Sequence, residues 1–176
     1  MDFVAEVLDN YARHHESGER LPQAWVDKLH ESATFNEGHA TTSYMAAAVL
    51  DLAWHSLESL ENVDSVFDFE SQAIAEYGLH YDPVPTRYRS TYFSHIFAGG
   101  YSSGYYGYIW SEVLDADTVE WFKDNGGLTR KNGDHFRRSL LSRGGSLDSM
   151  QMFRDFRGRN ADIEPLLRRR GLLGND

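Results

Sequence analysis

The chain has 176 residues, 41% of them hydrophobic and 14% aromatic, which suits one domain with a sizeable core. A formal net charge of −10 argues against a nucleic-acid-binding surface, and the lack of cysteine excludes disulfides, thiolate metal ligands and a cysteine nucleophile. The opening MDFVAEVLDN is acidic, with no basic stretch before an apolar run, and the longest apolar run, residues 44–50, is far too short to span a bilayer; a cytoplasmic protein without membrane contact is the expectation.

Helical periodicity recurs along the chain and strand alternation does not. Val4, Val7, Leu8 and Tyr11 mark a first helix, interrupted by Gly18. Pro22 suits the opening of a second, with Trp25, Val26 and Leu29 on one face. ATFNEGHATT reads as a loop. A long helix follows over about 43–60, with Met45, Val49 and Leu52 as its buried stripe, reaching Leu57 or Leu60. Its Ala46-Ala47-Ala48 segment allows close approach of a neighbour. Another helix is expected over 65–77. Pro83 and Pro85 then begin an irregular stretch that lasts until about Gly104.

Helix resumes over about 105–114 and again over 117–122. Gly126-Gly127 is a turn, 130–141 a helix, and Gly144-Gly145 its stop. Ser146 or Asp148 caps a helix that reaches Phe156 and ends at Gly158; Asp162 caps a short last helix, IEPLLRRR. Charge is uneven: residues 1–122 carry a net −15 and the remainder +5. Two unlike surfaces explain this better than a basic recognition patch. Arg168, Arg169 and Arg170 read as cations at a helix C-terminus, with Gly171 as the cap. The expectation is one all-α body, residues 1–176.

Eight histidines invite a search for zinc. The zinc-peptidase signature sets two histidines four apart on a helix with a glutamate beside the first. His15-Glu16 continues to Glu19, and His30-Glu31 continues to Thr34, so both miss the second histidine. His39 and His55 have no partner at metal-binding spacing, and adjacent His14 and His15 would point about 100° apart on a helix. No metal site is expected here. No G-x-S-x-G elbow occurs, and Gly99, Gly100 and Gly104 lack the Lys-Ser/Thr ending of a phosphate loop.

The unusual stretch is FSHIFAGGYSSGYYGYIW, residues 93–110. If helix covers 101–112, Tyr101, Tyr105, Tyr108 and Glu112 share one face, and Tyr106, Ile109, Trp110 and Val113 share another. The second face suits a core. The first carries phenols, which a dry core would have to satisfy singly, so a cleft wall suits it better. Glycines ahead of it let a ligand approach the backbone, or let the loop move. Phenol and imidazole donors, here with His95, can stabilise an oxyanion. The alternative is a Tyr-rich helix packed at a seam with its hydroxyls bonded to backbone.

These residues resemble a known family. His95 followed by GGY-x-x-x-YYGYIWSEV is similar to the C-terminal region of the zinc metallopeptidases that include thimet oligopeptidase, oligopeptidase A and the bacterial peptidyl-dipeptidase, or dipeptidyl carboxypeptidase. Upstream ATFNEGHATTSYMAAAVLDLAWHSL and downstream VLDADTVEWF, LLSRGGS and FRGRNADIEPLLRRRGL extend the likeness over nearly the whole chain. The FSHIFAGGY form is nearer the peptidyl-dipeptidase and oligopeptidase A branch. The resemblance implies the multi-helix C-terminal part of a zincin-type catalytic domain, with an irregular Gly/Tyr loop before a central helix. The family's zinc ligands lie in an H-E-x-x-H helix and a later glutamate, upstream of the matched region, so zinc belongs to the complete enzyme and none is expected bound tightly here.

The resemblance further implies roles. His95 and Tyr108 would be catalytic, stabilising the oxyanion, while Tyr101 and Tyr105 contact substrate backbone and Gly99 and Gly100 form a mobile loop over the cleft. Short peptides would be the substrate. The chain alone would then be inactive. A second function competes with this one: a non-enzymatic helical module that self-associates or binds a partner through an exposed apolar face.

Overall fold

Regular helices form where unbranched and small apolar residues recur at helical spacing, and they stop where glycine or a capping side chain interrupts them. The computed structural model describes residues 7–173, so Val4 lies outside the described residues. Its elements are α1 (Gln23–Ser32), α2 (Glu37–His55), α3 (Val66–Glu76), a 3₁₀ turn (Ser90–Tyr92), α4 (Ser94–Phe97), α5 (Gly107–Asp124), α6 (Arg130–Phe136) running into a π-helical turn (Arg137–Leu141), α7 (Ser149–Arg157) and α8 (Glu164–Arg169). Among the described residues the only β feature is an isolated bridge between Arg13 and Arg20. The all-α expectation holds. No helix among these residues is long and apolar enough to cross a membrane.

The chain gathers into two compact units. The middle unit is Asn36–Ser111; the terminal unit combines the chain up to Phe35 with Glu112 onward.

In the middle unit, α2 starts earlier than its hydrophobic pattern suggests. Asn36, with left-handed φ 56°, precedes it, and most of the EGHATT segment is helical rather than loop. It also ends earlier, at His55, and Leu60 is exposed. Residues 46–51 are buried without interruption, so the helix is enclosed on all sides there instead of presenting one Met45/Val49/Leu52 stripe. Small side chains permit that enclosure: Ala47 and Ala48 pack with Phe93, Ile96 and Tyr105. On α3, Ser65 caps the helix by accepting from the Asp68 N–H at 3.2 Å. Buried Glu70 accepts from the Ser90 N–H at 2.8 Å and its hydroxyl at 2.9 Å, and pairs with Arg89. Ser90 Oγ in turn accepts from Trp54 Nε1 at 2.8 Å. This chain of bonds fixes the 3₁₀ turn, and so the start of α4, which carries His95.

In the terminal unit, α1 buries only Val26; Trp25 and Leu29, expected beside it, are exposed. Tyr11 is exposed as well. The two helical stretches expected over 105–122 are one helix, α5, beginning at Gly107. Gly126 and Gly127 make the expected turn with φ 87° and 86°, braced by Asn132 Nδ2, which donates to Asn125 O and Gly127 O. Asp148 caps α7 by accepting from the Gln151 N–H at 2.8 Å, and Gly158 ends it at φ 82°. The RRR run does more than face a helix end. Arg169 donates to Asp115 at 2.6 Å and Arg170 pairs with Glu112, tying α8 to α5.

The terminal unit is organised around Asp117, a fully buried carboxylate on α5. It accepts from Arg157 Nε at 2.8 Å, from both terminal nitrogens of Arg159 at 2.8 and 2.7 Å, and from the Asp162 N–H at 3.0 Å. Removing one partner of such a buried pair strands the other charges. Asp117→Ala is expected to destabilise the terminal unit by about 3–5 kcal/mol, read from urea unfolding followed by tryptophan fluorescence.

Candidate active site

The tyrosine-rich segment belongs to the middle unit, and the structure collects its rings around His95. The ring of Tyr101 stacks on that of His95 with centroids 4.5 Å apart and planes 26° apart. Tyr108 stands nearly parallel to Tyr101, at 6.1 Å and 13°. His95 Nε2 lies 3.0 Å from the Tyr108 hydroxyl oxygen. Either the phenol donates to a neutral imidazole, or a protonated Nε2 donates to the phenol oxygen.

Exposure separates these tyrosines. Tyr101 and Tyr108 are 45% and 43% exposed, whereas Tyr105 is 4% exposed. Tyr105 stands edge-on to His95 and at 64° to Tyr108, and packs against Phe93 below. It is the floor of the group, not part of its open rim. The reason is that the helix starts later than the spacing implies. Residues 102–106 are turns, so Tyr101, just before them, joins Tyr105 and Tyr108 through a folded loop and not through a shared helical face. Tyr106, in the same turns, is exposed; Trp110, inside the helix and placed in the core by the helical spacing, is exposed as well.

The glycines have local causes. A Cβ on Gly99 would sit 2.7 Å from the backbone oxygen of His95, so no larger residue fits without a shift, and Gly100 has φ 76°. Ser102 Oγ donates to Ile96 O at 2.7 Å and closes the loop behind them.

Two residues that the sequence spacing did not single out hold this loop. Asp51, fully buried on α2, accepts from the Ser103 N–H and the Tyr105 N–H, both at 2.9 Å, and faces His55 Nδ1 at 2.8 Å. Tyr44, also on α2, donates its hydroxyl to Tyr105 O at 2.7 Å and accepts from the Ile109 N–H at 3.1 Å. One signal was available: a single carboxylate inside the apolar run AAAVLDLAWH, with a histidine four residues on.

The sequence pattern of Peptidase family M3 matches residues 3–172. The chain belongs to that family. It is similar to the dipeptidyl carboxypeptidases of Salmonella typhimurium (45% identity, 94% of this chain) and Escherichia coli (43% identity, 95% of this chain), in each case over 24% of the relative. It is also similar to the organellar oligopeptidase A of Arabidopsis thaliana, at 37% identity over 96% of this chain and 22% of the relative. The chain thus spans about a quarter of the length of these curated relatives. Identity is higher to the dipeptidyl carboxypeptidases than to this oligopeptidase A.

M3 enzymes use zinc. The residues described here do not fit such a site: among them no three His, Cys, Asp or Glu side chains converge where a metal ion could be held. His14 and His15 have their ring centroids 4.9 Å apart, His15 lies beside Glu16, and His55 is engaged by Asp51. His30 lines a groove of about 480 Å³ in the terminal unit, with Leu29, Val119, Lys123 and Pro165.

Burial pushes the Tyr105 phenol above its ordinary value of 10, with nearby Arg87 partly opposing this. Its folded pKa therefore exceeds the unfolded one, so the contribution to stability is complete below pH 10 and is lost as pH rises through the folded value. Stability of the middle unit is expected to fall more steeply above pH 10 in the wild-type chain than in Tyr105→Phe. Urea unfolding between pH 9 and 11.5 checks this, and parallel slopes for the two proteins would contradict it.

Proposed function

We propose that this chain supplies the peptide-binding, oxyanion-stabilising wall of an M3 peptidase that hydrolyses short peptides, in the manner of its dipeptidyl carboxypeptidase and oligopeptidase A relatives. The observation that carries this is the 3.0 Å approach of His95 Nε2 and the Tyr108 hydroxyl on an exposed rim. Two polar groups that close can be directed at one developing negative charge. Tyr101, exposed and stacked on His95, offers a flat face and a hydroxyl to a peptide backbone. Gly99 and Gly100 leave the backbone beside it uncovered by side chains, and Tyr105 supports the rings from below. The described residues hold no zinc site, so the roles assigned are binding and charge stabilisation, and the isolated chain is expected not to cleave peptides.

The experiment is a chimaera in which this chain replaces the matching quarter of the Salmonella typhimurium dipeptidyl carboxypeptidase. An active chimaera is expected to lose on the order of 10² to 10³ in kcat on His95→Ala or Tyr108→Phe. Tyr101→Ala should act mainly on KM. Full kcat in both the His95 and Tyr108 variants would sink the reading, as would peptide cleavage by the isolated chain.

A second reading has its own support. Trp25, Leu29 and Phe35 of the terminal unit are exposed, and Leu29 borders its groove. We infer from this apolar face that a second copy of the chain could cover it. Light scattering should then show dimers at micromolar concentration that Trp25→Glu converts to monomers; a monomeric wild-type chain would remove this reading.

A further inference from the structure

We propose that Asp51 and Tyr44 are positioning residues of the candidate active site: from one face of α2 they hold the backbone of residues 103–109 in the shape that gathers Tyr101, Tyr105 and Tyr108 around His95. The importance of that shape rests on the functional reading above; the geometry does not.

An isolated carboxylate inside an apolar helix is unfavourable unless its oxygens are bonded. Asp51 meets that condition with the loop's own backbone. Its Oδ1 takes the Ser103 N–H and its Oδ2 the Tyr105 N–H. Both N–H groups reach one carboxylate because Ser103 lies in the left-handed region, at φ 56°, which a non-glycine residue seldom adopts. The carboxylate thus holds the chain in a conformation that Ser103 would not keep unaided.

Tyr44 lies seven residues before Asp51. Two turns of helix bring position 44 almost back over position 51, so both side chains leave the same face. Its hydroxyl bridges Tyr105 O and the Ile109 N–H and so caps the first turn of α5, which presents Tyr108. Tyr105, bonded through its N–H to Asp51 and through its carbonyl to Tyr44, is clamped on both sides.

Two substitutions isolate these contacts. Asp51→Asn keeps the volume but sets an NH₂ donor against one of the two backbone N–H groups. Tyr44→Phe removes one oxygen. Both are examined in the 176-residue chain by NMR, using amide exchange and the ring signals of His95 and Tyr108, with α3 as internal reference. Exchange at Ser103 and Tyr105 is expected to quicken roughly 10- to 100-fold in Asp51→Asn, and at Ile109 in Tyr44→Phe, with α3 unchanged. The His95 Nε2 shift should move toward that of Tyr108→Phe.

A chain that loses stability but retains the His95–Tyr108 signature overturns the proposal, and so does unaltered loop exchange in both variants. If Asp51→Asn does not fold, Tyr44→Phe decides alone. Titration with a labelled tripeptide separates the two levels. A wild-type chain that binds it, with variants that loosen the loop yet bind equally well, overturns positioning and leaves the functional reading standing. Loosened loops in variants of a chain that binds no peptide support positioning and count against that reading.

Discussion

A carboxylate shut away from water must be given donors, and the middle unit is arranged to give them to Asp51. The donors come from the backbone of a loop more than fifty residues later, so one side chain on α2 determines where that loop runs. Charge-assisted bonds to a buried acceptor are strong and hard to replace with water. Tyr105, packed on Ala47, Ala48 and Phe93, adds the apolar half of the same junction. The polar contact sets the register of the loop and the aromatic contact sets its depth.

The terminal unit solves a related problem by different means. Asp117 receives two guanidinium groups and one backbone N–H, so charge is balanced by charge. Asp51 is satisfied mainly by dipoles, with His55 beside it. The first arrangement suits a scaffold, where arginines at the end of α7 and after it wrap onto α5. The second suits a surface that must present side chains, because backbone donors constrain the chain without occupying the rim. Trp121, His135 and Phe156 then fill the apolar part of the terminal unit, with His135 Nε2 3.2 Å from Phe156 O.

Much of this was legible in the residues. Glycine and capping side chains punctuate the second half of the chain, and Asp148 and Gly158 act where their types say they should. The hydrophobic stripes were less informative. Residues 46–51 of α2 are enclosed all round, so periodicity had no single face to report, and the start of the helix at Glu37 follows a left-handed Asn36 that no pattern marks. The grouping of Tyr101, Tyr105 and Tyr108 was anticipated, but through helical spacing. The rings meet because turns precede Gly107, and that difference buries Tyr105 and leaves Tyr106 exposed. Asp51 and Tyr44 were hidden because their partners are backbone groups distant in sequence, which composition and spacing do not reveal.

The contact between His95 and Tyr108 has a consequence in the count of protons. When the phenol donates to a neutral imidazole, its only hydrogen is committed, and the imidazole keeps one N–H, on Nδ1, facing elsewhere. In that arrangement neither group has a hydrogen free for a third party at their meeting point. A proton must arrive on Nε2 before both groups can donate at that point. While the phenol is the donor, the pair is a closed ledger of hydrogens, and only an added proton opens it.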